Sequence, residues 1–293
     1  MPREKRPEAP DAIHSDNDDG NGSCEGGARR VMNAPAPDSA FRWSVEPWGQ
    51  ALRCRPLEAA AQHLFTTRQL ELRTSPRADD GWRQASASVG GDLQQVMRLR
   101  QVHGKSVRIL RKGEVVAADF AARPEADAMV SNAPGLVLAV QVADCVPLLI
   151  TNRTGTVVAA VHAGWRGTAA GVAREAVRVM TDGFGARADD LLVALGPSIA
   201  PCCYEVGAEL MEAFRAAGAS DRELNRWFSR TASGSLRLDV AAANVDQLQV
   251  AGVSKENIFH VGLCTKTHDD WFDSYRSAGP QAGRMAGLIR VRT

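Results

Sequence analysis

The chain has 293 residues, with 35 Lys plus Arg against 34 Asp plus Glu and a formal charge of +1. A balance so near neutral excludes the broad basic face that nucleic-acid binding needs, so no polyanion partner is expected. At 44 % hydrophobic and 24 % charged residues, with a mean hydropathy of −0.22, the composition is that of a globular protein and not of a fibrous or disordered one.

Residues 1–40 hold five of the 14 prolines and no Phe, Trp or Tyr. They offer too little apolar surface to offset the entropy of ordering and read as a disordered leader. Their charges are not followed by the apolar run of a secretory signal, so a cytoplasmic setting is expected, with the six cysteines as reduced thiols. Residues 41–293 read as one domain.

Alternating apolar and polar residues predict half-buried strands at 63–68, 96–102 and 107–110, with Gly104 turning the chain between the last two. More continuous apolar runs at 136–142, 148–150, 157–161 and 191–195 predict strands covered on both faces. The longest apolar stretch, 136–150, is interrupted by Gln141 and Asp144 and falls short of the roughly 20 residues a membrane helix requires. Apolar residues at helical spacing predict a helix over 168–182, with Thr168 as N-cap and Gly183 as its stop. Further helices are expected at 207–217 and 240–250, and late strands at 258–261 and 285–291. The pattern is that of an α/β or α+β domain.

Three residues stand where strands end or begin: His103 before Gly104, Cys145 before Val146-Pro147, and His162 before Ala163-Gly164. Two imidazoles and a thiolate suit Zn²⁺ and leave a fourth position for water or substrate. Their separations are far from those of a zinc finger, and the plainer reading is a packed thiol and two histidines beside turns. In the run from His162 to Gly167 a buried strand passes two glycines into a helix. Arg166 there offers a guanidinium fork for an anion, and Trp165 a face for a planar ring. Asp144 is placed to orient a ligand or a substrate proton donor, or simply to cap the strand end. Pro201-Cys202-Cys203 lacks the P-C-x-x-C and H-x-E of a zinc deaminase, and neither a P-loop nor a dinucleotide fingerprint is present.

The motifs occur in a telling order: Gln101-Val-His103-Gly104, Glu125-Ala-Asp127-Ala-Met, Ala143-Asp-Cys145-Val-Pro, His162-Ala-Gly-Trp-Arg-Gly167, Gly196-Pro-Ser-Ile, Cys202-Cys-Tyr-Glu-Val206, Cys264-Thr, Ser274-Tyr-Arg276 and Gly283-Arg-Met285. Together they resemble the laccase-domain purine nucleoside phosphorylase family, once labelled polyphenol oxidases, over about residues 61–291. The resemblance implies a single domain of layered mixed β-sheets flanked by helices. It also implies a zinc site of His103, Cys145 and His162, with copper as the alternative ion, and catalysis by these residues with Asp144. Phosphorolysis of adenosine, inosine, guanosine and methylthioadenosine is implied, with adenosine deamination as a second activity and purine nucleosides and phosphate as partners. His63-Leu-Phe-Thr-Thr-Arg68 is similar to the family's opening strand, so Arg68 joins Arg166 and Trp165 as an expected substrate-binding residue. The Gly-Gly-Val-Ser and Asn-Leu-Gly segments that follow in the family, where they help close the pocket, are missing from 69–93. Three other functions use the same residues or their loss. They are a metal-free thiol hydrolase or deamidase with Cys145 as nucleophile and His103 or His162 as base, a copper-dependent polyphenol oxidase, and a non-catalytic binding protein. The multinuclear copper centre of such an oxidase needs on the order of ten histidines, and the chain has six.

Overall fold

The computed structural model describes residues 33–73, 78–113 and 123–292. Most of the expected leader, residues 1–32, lies outside the described residues. The compact unit begins at Ala34, and its first residues are bound to the rest. Trp43 Nε1 donates to Pro35 O at 2.9 Å, Asp38 N to Val261 O at 3.0 Å, and Arg55 N to Ala40 O at 2.8 Å.

Two six-stranded mixed sheets form the centre. The first runs in the order β1 (Phe41–Glu46), β2 (Gly49–Cys54), β3 (Ala61–Phe65), β15 (Met285–Val291), β7 (Val137–Val142), β4 (Val96–Arg98). The second runs β14 (Ile258–His260), β10 (Leu191–Leu195), β8 (Val146–Asn152), β9 (Val158–Ala163), β6 (Ala128–Ser131), β5 (Val107–Leu110). A small third sheet joins β11 (Glu205–Val206), β13 (Leu236–Leu238) and β12 (Phe228–Arg230).

The side-chain alternation of each strand explains the layering. Leu149, Ala160, Leu192 and Ala194 of the second sheet pack with Phe65, Leu138, Val140 and Ile289 of the first in one core. The intervening residues Leu148, Ile150, Ala159, Val161 and Val193 turn the other way. They meet helices α4 (Val172–Phe184) and α7 (Val240–Val250) through residues such as Val177, Met180 and Leu248. Strands covered on both faces must be apolar throughout, which is why 148–150, 157–161 and 191–195 read as continuous runs. The outer face of the first sheet is covered by α2 (Ala78–Ala87), whose Trp82 and Ala85 pack on Leu64, Ala139 and Leu288. The expected layered α/β architecture is therefore present as helix, sheet, sheet, helix.

Several boundaries differ from expectation, each for a tertiary reason. Strand 63–68 is displaced to Ala61–Phe65, because Thr66 Oγ1 turns to accept from Ala286 N at 2.9 Å. Strand 96–102 ends at Arg98. The helix expected over 168–182 is two helices, α3 (Trp165–Ala170) and α4, separated by Gly171 at φ 84°. Thr168 is no N-cap: it is buried inside α3, where its hydroxyl accepts from Asn244 Nδ2 at 2.9 Å. Gly183 lies within α4, and Gly185, at φ 69°, ends it. The remaining helices are α1 (Arg55–Glu58), α5 (Ala208–Ala216), α6 (Asp221–Trp227) and α8 (Tyr275–Ala278). No helix among the described residues is long and apolar enough to cross a membrane.

One buried titratable group makes the fold pH-sensitive. His63 is fully buried, with Cys54 N donating to its Nε2 at 2.9 Å and its Nδ1 3.2 Å from Ala61 O, an arrangement suited to the neutral ring. Burial pushes its pKa down to about 4, whereas in the unfolded chain it titrates near 6.5. The unfolded state therefore takes the proton first as pH falls. His63's contribution is complete above about pH 6.5 and is lost as pH drops toward 4. Denaturant unfolding at pH 7 and pH 4.5 should differ by about 2–3 kcal/mol from this group alone. His63→Gln should start less stable and lose correspondingly less on acidification. An unchanged pH slope in that variant would remove the assignment.

Candidate metal centre

The register of the second sheet assembles the site. Pairing of β8 with β9 sets Val146 opposite Ala163 and Pro147 opposite His162, so the residue before β8, Cys145, lies beside the residue after β9, Gly164. Pairing of β6 with β9 sets Ala128 opposite Val161 and brings Asp127 against His162, whose N–H donates to Asp127 O at 2.7 Å. His103 comes from the loop before β5 and takes φ 61°, and Asp144 takes φ 87°. These are left-handed conformations that side-chain-bearing residues adopt at a cost, and here they sit on either side of one centre.

Asp127 organises the centre. Its Oδ1 accepts from His103 N at 2.9 Å and from His162 Nδ1 at 2.8 Å. Its Oδ2 accepts from Gly104 N at 2.7 Å and Val102 N at 3.3 Å. Burial raises the carboxyl's pKa, but the His162 hydrogen bond and the backbone donors outweigh it and hold the group below its ordinary value. With Nδ1 committed to the carboxylate, His162 keeps Nε2 as a free ligand atom, the usual second contact of a metal-binding histidine.

The His103 and His162 rings meet edge to face with centroids 4.8 Å apart, and Cys145 Sγ lies 4.0 Å from His103 Nε2. All three ligand atoms fall within 4.8 Å of one another. Tetrahedral Zn²⁺ with two nitrogens and a sulfur places such atoms about 3.3–3.6 Å apart, so a small contraction closes the set. Gly164 leaves the room: a Cβ there would stand 2.9 Å from His103 Cδ2 and 3.0 Å from Cys145 Sγ. Burial would push the Cys145 thiol up, but the His162 charge and hydrogen bonds from both imidazoles bring it down to about 6. Burial likewise opposes the charge on His162, and Cys145 with Asp127 overcome it and raise that pKa to about 9. The thiolate, which is the form that binds metal or attacks an electrophile, is favoured at neutral pH.

The centre opens into a cleft of about 680 Å³. Three guanidinium residues, Arg166, Arg276 and Arg284, line it against one carboxylate residue, Asp144. The cleft is thus locally cationic in a chain of nearly zero net charge. Arg166 is exposed and stands over the Trp165 ring at 4.3 Å. Arg276 stands over Tyr204 at 5.0 Å and donates through Nη1 to Glu205 O at 2.7 Å.

His103, Cys145 and His162 are brought together as expected, and Asp144, Trp165 and Arg166 line the same cleft. The Asp144 carboxylate accepts from Thr265 Oγ1 and from Arg276 N, both at 2.6 Å. The carboxylate that contacts a candidate ligand is that of Asp127, at His162 Nδ1. Arg68 is not among the residues lining the cleft; its guanidinium donates to Asp269 O and its N to Trp271 O at 3.0 Å, and its charge acts on Asp273 together with that of the cleft residue Arg284. The anion site expected at a long helix start is also altered, because α3 has six residues, and the anion-binding capacity rests on the guanidinium groups. Asp127, Gly164, Arg276 and Arg284 were not singled out by their residue types. All four positions lie within the ordered motifs, which was the available signal.

The family described as multi-copper polyphenol oxidoreductase laccase matches residues 77–292. The purine nucleoside phosphorylase YfiH of Shigella flexneri is 43 % identical over 194 residues, covering 65 % of this chain and 72 % of that protein. Adenosine deaminase RL5, from an unknown prokaryotic organism, is 36 % identical over 208 residues, covering 69 % of this chain and 78 % of that protein. The crystal structure of YlmD from Geobacillus stearothermophilus superposes with a TM-score of 0.75 at 26 % identity, covering 87 % of this chain and 99 % of that one.

Proposed function

The chain belongs to the multi-copper polyphenol oxidoreductase laccase family, and from that premise we propose that it is a purine nucleoside phosphorylase, with adenosine deamination as a second activity of the same cleft. The observation that carries this reading is the union of a two-histidine, one-thiolate centre with three guanidinium groups in one cleft. A relative named purine nucleoside phosphorylase supports it.

His103, Cys145 and His162 would hold the ion; zinc suits that donor set and, when bound, supplies Lewis acidity and a fixed positive charge in the cleft. The same residues fit a multinuclear copper centre poorly. Among the described residues, the one group of candidate ligands that includes histidine has two of them.

In phosphorolysis an oxygen of phosphate bonds to the ribose C1′ as the bond to the purine nitrogen breaks, and the purine leaves with the electron pair. Arg166, with Arg276 and Arg284 beside it, binds the phosphate and balances the charge carried through the transition state. Tyr275, 53 % exposed on the cleft wall, and Trp165 offer planar faces to the base. Phosphorolysis is placed first because it draws on anion binding. Deamination also needs a proton carrier, and both oxygens of Asp144 already accept hydrogen bonds. The relative named adenosine deaminase favours it as the second activity.

The order Cys145, His162, Asp127 is also that of a thiol nucleophile, its base and an orienting carboxylate, and metal analysis separates the two chemistries. About one zinc per chain is expected after growth in zinc-supplemented medium. Well-folded protein without metal that is inactivated by alkylation of Cys145 would favour the thiol hydrolase. For substrate, chromatography of adenosine, inosine, guanosine and methylthioadenosine incubated with the protein should show free base only when phosphate is present, and inosine from adenosine without it. Arg166→Ala should raise the KM for phosphate about 10- to 150-fold, the worth of one charged hydrogen bond, with metal content unchanged. Zinc-loaded protein that leaves all four nucleosides intact would overturn the proposal.

A further inference from the structure

A second cluster of soft ligands lies outside the centre described above. Cys202, Cys203 and Cys264 place their sulfurs within 4.8 Å of one another, with Cys202 Sγ 3.6 Å from Cys203 Sγ. The backbone holds them together. Cys202 and Cys203 sit in a turn closed by Cys203 N and Tyr204 N on Ala200 O, at 2.9 and 3.0 Å. Cys264 is bridged to Ser198 in parallel register, with Thr265 N donating to Ser198 O at 3.1 Å. Two chain segments far apart in sequence are thus locked side by side, and their three sulfurs face one another.

Hydrogen-bonding groups surround the sulfurs. Ala200 N donates to Cys264 Sγ at 3.4 Å, the kind of N–H contact that supports a metal-bound sulfur. Thr267 Oγ1 lies 3.5 Å from Cys202 Sγ and 3.4 Å from Cys203 Sγ. The sulfurs run from exposed Cys202 through half-buried Cys203 to buried Cys264, which gives an ion a path in from solvent. Metal–sulfur bonds of about 2.3 Å require sulfurs roughly 4 Å apart around a shared ion, a spacing within the reach of this group.

We propose that Cys202, Cys203 and Cys264 form a second metal site, an all-thiolate trio for a soft, thiophilic ion of the Zn²⁺, Cd²⁺ or Cu(I) class. Thiolates without imidazole or carboxylate select such ions over Mg²⁺ or Mn²⁺. The site stands directly behind the cleft wall. The residue after Cys203 is Tyr204, which lines the cleft, and the residue after Cys264 is Thr265, which donates to Asp144. An ion bound to the trio ties these two wall segments together.

The test uses the full chain, reduced and free of metal, titrated with Cd²⁺ while sulfur-to-cadmium charge transfer is followed in the ultraviolet. About two ions per chain are expected, one at each centre. The double variant Cys202→Ser with Cys203→Ser should take about one, its band falling to about a quarter as three of four sulfur–cadmium bonds are lost. Cys145→Ala should lose the other ion and keep this one, which separates failure of the cleft centre from failure of the trio. Equal uptake and equal bands in the wild type and the double variant would overturn the proposal. A direct readout needs no variant: Cd²⁺ should shield Cys202 from alkylation, scored by mass spectrometry in the wild-type chain. Unshielded Cys202 at saturating Cd²⁺, or a two-hydrogen mass loss showing a disulfide within the trio in place of metal uptake, would equally overturn it.

Discussion

Cys145→Ala should strip the ion from the cleft and lower nucleoside turnover on the order of a thousandfold or more. The substitution removes the sulfur ligand and with it the charge stabilisation that a bound metal contributes, several kcal/mol at about 1.4 kcal/mol per tenfold in rate. Cys145 is only half-buried at the cleft edge, so the melting temperature of the metal-free protein should change little. Metal analysis and single-turnover kinetics on the same preparation give the answer. Full metal content or wild-type turnover in the variant would take Cys145 out of the centre.

Asp127→Asn should damage stability and metal binding together. The carboxylate is fully buried and accepts from three backbone N–H groups and the His162 ring. An amide of the same shape turns one acceptor into a donor facing N–H groups and withdraws the charge that His162 leans on. Breaking one partner of a buried charged network costs about 3–5 kcal/mol, and loss of a carboxylate behind a metal-binding histidine costs about 10- to 100-fold in metal affinity. Denaturant unfolding and competition with a chelator measure the two effects separately. A variant as stable as the wild type with unweakened metal binding would reduce Asp127 to a bystander.

What could be read in the sequence was whatever a residue's own surroundings in the chain determine. The runs in β8, β9 and β10 were visible because burial on both faces leaves no room for polar positions, and the three candidate ligands were visible because each stands beside a turn, Cys145 and His162 at strand ends and His103 in the loop before β5. Asp127 carried no such mark, since its donors come from residues 102–104 and from His162, which only the sheet register brings near. The hairpin of β1 and β2 escaped notice because its charged positions are satisfied within the sheet region, as Arg53 Nη2 is by Glu46 Oε1 at 2.8 Å. Thr168 misled for the opposite reason. Its type suits a helix start, but a buried contact with Asn244 decides its place. The Arg68 guanidinium is likewise held by a group remote in sequence, the Asp269 carbonyl.

The double burial of β9 divides the molecule's capacity for change. His162 rides at the end of a strand with a sheet partner on each edge and packed layers on both faces, so an alteration there is transmitted into two cores at once. Arg276, by contrast, belongs to the four-residue α8, Arg284 to the loop before β15, and Arg166 to the exposed side of a six-residue helix. The guanidinium side chains that line the cleft can therefore be exchanged one at a time while the strand that carries His162 stays put. Altered specificity in this scaffold should be sought along the rim, and altered chemistry at its root.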